Sequence, residues 1–163
     1  MTHFIQHIET AIGTLEIKAS EIGICSISLL SNSDQHEENM NDHTRQCAQQ
    51  LHEYFEGKRK EFDVPLDWTK ASEFYIKVWR ELLTMPYGSC ITYKDIAVRL
   101  NNLKAIRAVG QANGRNPIPI IVPCHRVIGS NGDLTGFALG LDVKKKLLAL
   151  ENPLERGLQS SLF

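Results

Sequence analysis

The stretch TYKDIAVRLNNLKAIRAVGQANG, residues 92–114, reads as two short helices joined by a tight turn. Thr92, with Asp95 three positions on, forms a capping-box variant that starts the first helix, and Asn101 and Asn102 interrupt it. The second helix, KAIRAVGQANG, sets Ala105, Val109 and Ala112 on one face and Lys104, Arg107, Gln111 and Gly114 on the other. So slender a helix, with cations and amide donors outward, suits close approach to a nucleic-acid groove. The structural alternative is a surface helix packed tightly on its alanines. Two helices so joined make a helix-turn-helix, which assigns the second half of the chain to a helical domain.

Upstream, ASEFYIKVWRELLTMPYG carries Phe74, Val78, Trp79 and Leu82 at helical spacing until Pro86 and Gly88 end it. The opening third alternates instead. FIQHIET, TLEIKA after a turn at Gly13, and ICSISLL after Gly23 read as strands of an antiparallel meander. SNSDQHEENMNDH, residues 31–43, is polar, acidic and aperiodic, hence a loop. TRQCAQQLHEYFEG then repeats Cys47, Leu51, Tyr54 and Phe55 at helical spacing before a stop at Gly57, which makes Cys47 a core residue. KRKEFDVPLDW reads as an extended segment entering a linker, with a boundary between residues 65 and 72. The expected class is α+β (α/β): a strand-rich domain over residues 1–70, then a helical domain with the helix-turn-helix over residues 71–163.

Downstream lies PIPIIVPCHRVIG, residues 117–129. PIPIIV, short, β-branched and bounded by prolines, reads as a buried strand. Pro123 pre-sets φ for a helical turn, so the chain is expected to change direction at Cys124, where the unpaired N–H groups of a helix start favour a thiolate. Adjacent side chains do not face one another, so His125 is expected to act on the sulfur through a water or by swinging alongside it. A buried structural cysteine beside a chance histidine is the alternative. In LDVKKKLLALE, Val143, Leu147 and Leu150 mark a core face, and Lys144, Lys145 and Lys146 are expected to face water. Glu151, one turn beyond Leu147, either points inward, at a cost that a partner such as His125 would offset, or frays into solvent before Asn152 and Pro153.

The totals constrain the class further. The chain has 163 residues, 42% of them hydrophobic, enough for one ordinary domain or two small ones and too apolar for a disordered chain. No apolar run reaches the length of a membrane span, and MTHFIQHIET lacks the form of a secretory signal, so the cytosol is the expected compartment. Cys25, Cys47, Cys90 and Cys124 are irregularly spaced with no C-x-x-C pair, which points to four free thiols rather than a zinc ribbon or disulfide scaffold. The formal net charge of −1 conceals an asymmetry: residues 1–89 hold 8 Lys and Arg against 14 Asp and Glu, whereas residues 90–163 hold 10 against 5. The basic half implies an anionic partner or a solvated face. There is no glycine-rich strand-to-helix turn for a nucleotide cofactor.

RAVGQANGR, NPIPIIVPCHRVIG and GDLTGFALGLDVKKKLLALE together resemble the O6-alkylguanine-DNA alkyltransferase family, the methylated-DNA–protein-cysteine methyltransferases. The similarity is dense over residues 72–152, with PCHRV as its most specific signature; the first 65 residues match loosely, compatible with the family's ribonuclease-H-like N-terminal domain. The resemblance implies DNA repair by direct reversal: irreversible, single-turnover transfer of the alkyl group of O6-methylguanine in double-stranded DNA to Cys124 after base flipping, by a monomer that needs no cofactor. It implies that His125 is the water-mediated base, that Glu151 orients it, and that Asn116 holds the turn before the cysteine. Tyr93 would rotate the target phosphate and donate a proton toward guanine. Arg107 would fill the gap left by the extruded base, with Thr92, Ala108 and Gln111 also against the DNA. Pro119, Val127, Phe137 and Ala138 would line the guanine pocket. Phe137 stands where the family has tyrosine and Leu139 where it commonly has glycine, which implies a site that accepts methyl and takes benzyl poorly. Some relatives hold zinc in the N-terminal domain; His3, His7 and Cys25 do not repeat that ligand pattern, so no metal is expected. A non-catalytic binder of alkylated DNA is the alternative function, and a helix-turn-helix regulator a more distant one.

Overall fold

The computed structural model describes residues 3–31, 36–132, 134 and 136–153; residues 32–35 of the predicted loop therefore lie outside it. The chain divides into two compact units, Met1–Thr69 and Lys70–Phe163. In the first, β1 (Phe4–Thr10), β2 (Gly13–Ala19) and β3 (Ile24–Leu29) form the antiparallel meander that the alternation predicts. Gly13 closes the first turn at φ 122°, a conformation side chains resist. Leu15, Ile17 and Ala19 alternate along β2 and are fully buried. α1 (Asp42–Phe55) packs on β1 and β2 with Cys47, Ala48, Leu51 and Tyr54 inward. Burial pushes the Cys47 thiol up to about 12, which leaves it an inert core residue. All four cysteines are free thiols.

The second unit is α2 (Glu73–Leu83), β4 (Ile91–Thr92), α3 (Tyr93–Arg99), α4 (Ile106–Gly114), β5 (Val127–Ile128) and α5 (Leu141–Glu151). Thr92 caps α3 as its sequence predicts: Thr92 Oγ1 accepts from Asp95 N and Asp95 Oδ2 from Thr92 N, each at 3.1 Å. A 3-10 turn at Leu103–Ala105 delays α4 by two residues relative to the pattern, but the faces are those predicted. Ala105, Val109 and Ala112 are buried, while Lys104, Arg107, Gln111 and Gly114 are exposed. Trp79 Nε1 donates to Ala112 O at 2.8 Å and ties α2 to α4.

Two expectations fail. PIPIIV is buried but is not a strand: Val122 N bonds back to Ile118 O at 3.0 Å, and Ile120 sits at φ 77°. Prolines at positions 117, 119 and 123 remove the donors a ladder needs, and periodicity alone does not separate a buried turn from a buried strand. A β-branched residue in the left-handed region is strained and persists only where its surroundings hold it. The second failure is Lys144, which is fully buried rather than facing water; Leu148, not Leu150, completes the buried face of α5. No helix among the described residues is long and apolar enough to cross a membrane.

Candidate active site and nucleic-acid face

Asn116 assembles the turn that carries the thiol. Its Oδ1 accepts from Ile118 N at 3.0 Å and its Nδ2 donates to Val122 O at 2.8 Å, so one buried amide clamps both arms. The chain then enters a 3-10 turn at Cys124–Arg126, bringing Cys124 to 1% exposure. Three residues of 3-10 turn make a weaker field than the predicted helix start, and burial dominates. It pushes the Cys124 thiol up to about 11, against the opposing pull of Asn116, Lys144 and the residue's own N–H, so the resting sulfur is protonated at neutral pH. Asn113, which the sequence reading did not single out, donates from Nδ2 to Cys124 O at 3.4 Å, while its buried Oδ1 has no partner among the described residues.

Glu151 points inward, which resolves the alternatives its spacing left open. Its Oε2 lies 2.6 Å from His125 Nε2 and 3.1 Å from Arg126 Nη2; its Oε1 accepts from Arg126 Nε at 2.7 Å and from Gly88 N at 3.3 Å. Burial by itself would raise this carboxyl, but the hydrogen bonds and charges of His125 and Arg126 outweigh it and hold Glu151 well below the ordinary carboxylate range. Burial lowers His125, against the pull of Glu151. The imidazole is therefore neutral, and it must carry its proton on Nε2 to face the carboxylate. That leaves the lone pair on Nδ1, which is buried and has no hydrogen-bond partner among the described residues. The Phe137 ring meets the His125 ring edge-on at 6.4 Å.

Arg126 is the functional residue that sequence reasoning missed. Besides gripping Glu151 it donates from Nη1 to Met85 O at 2.7 Å and lies 5.8 Å over the Tyr87 ring.

β4 and β5 pair in parallel, Ile91 with Val127 and Thr92 with Ile128. This two-rung link joins the N-terminus of α3, where half-buried Tyr93 follows Thr92, to the segment that follows the Cys124 turn. Tyr93 packs against α4 at Gly110, where an added Cβ would lie 4.0 Å from its ring. On α4, Arg107 and Gln111 are exposed one turn apart and Ala108 is half-buried between them. Of the expected pocket residues, Pro119 and Val127 are buried, Phe137 is half-buried and Ala138 exposed.

Residues 73–153 match the family described as 6-O-methylguanine DNA methyltransferase, DNA binding domain, and residues 4–68 match its ribonuclease-like domain. A methylated-DNA–protein-cysteine methyltransferase of Methanosarcina barkeri is 45% identical over 150 residues, covering 88% of this chain and 94% of that protein. The chain belongs to the 6-O-methylguanine DNA methyltransferase family. The crystal structure of the Mycobacterium tuberculosis O6-methylguanine methyltransferase superposes with a TM-score of 0.83 at 38% identity, covering 93% of this chain and 94% of that one. The same enzyme in complex with DNA gives a TM-score of 0.83 at 40% identity over 92% and 93%. The methyltransferase family thus accounts for both units, including the ribonuclease-like N-terminal part, for which the strand pattern carried little specificity.

Proposed function

We propose that this chain reverses alkylation damage directly, moving the methyl group of O6-methylguanine in double-stranded DNA irreversibly onto Cys124, as a cytoplasmic monomer without a diffusible cofactor. The observation that carries the reading is the neutral His125, protonated toward Glu151 and holding a buried lone pair on Nδ1, at the residue next to a buried thiol. Nδ1 takes the thiol proton through a water. The sulfur then attacks the methyl carbon; the S–C bond forms as the C–O6 bond breaks, and the electron pair leaves on guanine, toward which Tyr93 donates a proton. A soft thiolate suits this displacement better than an alkoxide. Its target is inaccessible inside a duplex, so the base is extruded at a cost of about a few kcal/mol, least for a mispaired base. Arg107 fills the gap in the stack, with Thr92, Ala108 and Gln111 against the DNA, and Pro119, Val127, Phe137 and Ala138 hold the flipped guanine. The thioether product is stable, so each molecule acts once.

Intact-mass analysis after mixing with an oligonucleotide duplex carrying O6-methylguanine tests this reading. One added methylene on the Cys124 peptide, absent in Cys124→Ala, is the expected result. Binding without a mass change overturns it in favour of a non-catalytic binder. Bulk at Leu139 is expected to make free benzylated guanine inactivate the protein more slowly than methylated duplex does.

A further inference from the structure

α4 carries Arg107 on its outer face and, six residues on, buries Asn113 alongside Val109 and Ala112. An amide is out of keeping on a stripe where the helical period otherwise buries apolar side chains. Asn113 is 2% exposed, and its Nδ2 donates to the carbonyl of Cys124 at 3.4 Å, which fixes which end of the amide meets the reactive turn. The other end, Oδ1, is buried and has no hydrogen-bond partner among the described residues. A buried acceptor left unmatched is costly, and one in a native fold calls for a donor. The second such acceptor at this turn, His125 Nδ1, takes the thiol proton; Asn113 Oδ1 has no part in that step.

We propose that Asn113 determines which damaged base reacts: its Oδ1 accepts a hydrogen bond from the 2-amino group of the extruded O6-methylguanine. The proposal rests on the reading of Cys124 as the nucleophile, because a base whose methyl carbon meets that sulfur is brought to the turn on which the Asn113 amide rests. The lesion supplies one donor. Methylation of O6 leaves N1 of guanine without a hydrogen, so the 2-amino group is the only N–H on the pairing edge that carries the methyl group. O4-methylthymine has no hydrogen on N3 and offers no donor on that edge. A pyrimidine lesion, or a guanine analogue without the amine, therefore leaves Oδ1 unmatched, and the site favours the purine that fills it. With Arg107 and Asn113 on one helix, the residue that fills the stack and the residue that reads the base taken from it move as a unit.

The test is the single-turnover rate of methyl transfer to Cys124 from duplexes carrying O6-methylguanine or O6-methylhypoxanthine, the same base without its 2-amino group. Wild-type protein is expected to prefer the amine-bearing lesion. Asn113→Leu, close in volume but without an acceptor, is expected to cut that preference about tenfold. Asn113→Asp, which keeps an acceptor oxygen, is expected to retain it. An unchanged ratio of the two rates in a folded Asn113→Leu protein overturns the proposal, even where both rates fall together, as they would if Asn113 only braced the turn. Should that variant fail to fold, the side-chain amide resonance of Asn113 is followed in Cys124→Ala, which has no sulfur to accept the methyl group. A displacement by the methylguanine duplex that the methylhypoxanthine duplex does not cause supports the contact, and identical spectra reject it. A wild-type protein that takes methyl from neither duplex, while this resonance still tells them apart in Cys124→Ala, would reject the repair reading and retain the recognition.

Discussion

Arg126 and Glu151 meet through two contacts, Nε to Oε1 at 2.7 Å and Nη2 to Oε2 at 3.1 Å, with both side chains buried. Such a pair adds little over an apolar replacement of both partners, but breaking it strands a charge. Arg126→Met is accordingly expected to destabilise the chain by about 3–5 kcal/mol in urea denaturation, because the buried Glu151 carboxylate then loses the guanidinium that matches it through two contacts. A loss below about 1 kcal/mol would place the pair among ordinary surface bridges and contradict its burial. Asn116 works at the same scale by different means. Its two hydrogen bonds are local, to Ile118 and Val122, and they hold a turn in which Ile120 is strained.

At the scale of elements, the short two-rung pairing of β4 with β5 and the cap of α3 meet at Thr92. Thr92→Ala removes the side-chain acceptor for Asp95 N, a change worth about 1 kcal/mol, and is expected to lower the thermal midpoint. An unaltered melt would mean that packing alone holds the start of α3. Gly88 fixes the other end of the site. It sits at φ 81°, its N–H reaches Glu151, and an added Cβ would come within 3.1 Å of Glu151 O. An alanine there would be strained and would press on the end of α5, so Gly88→Ala should be the more damaging of the two in the same melt.

At the scale of the whole molecule, the buried groups set the response to acid. His125 is lowered by burial from its ordinary 6.5, so below about that pH the unfolded chain binds a proton that the folded one refuses, and stability falls as pH falls. Glu151 is held below its ordinary 4.5, which adds a second loss beginning near that value and continuing as pH drops through its folded-state pKa. Both contributions are fully present at neutral pH. Urea midpoints measured from pH 8 downward should therefore decline in two stages, and Glu151→Gln should make the second shallower, leaving the share of Glu16, Asp67 and Asp95, whose carboxyls are also lowered by their hydrogen bonds. A variant that still loses stability as steeply below pH 4.5 would assign that loss to other carboxylates.

By itself the sequence determined what lies within reach of a few residues: the three-strand alternation, the helical faces of α1 and α4, the Thr92 cap, and the adjacent thiol and imidazole of Cys124 and His125. Those are local because strand and helix periods are set by the backbone, and a cap or a motif occupies adjacent positions. The tertiary structure alone decided that PIPIIV turns, that the Cys124 thiol rests protonated, that Arg126 lies inside and that Lys144 does not face water. Whether a charge is buried depends on partners supplied from elsewhere in the chain. Glu151 meets Arg126 across 25 residues and Lys144 meets Val127 across 17, distances over which no periodicity carries information.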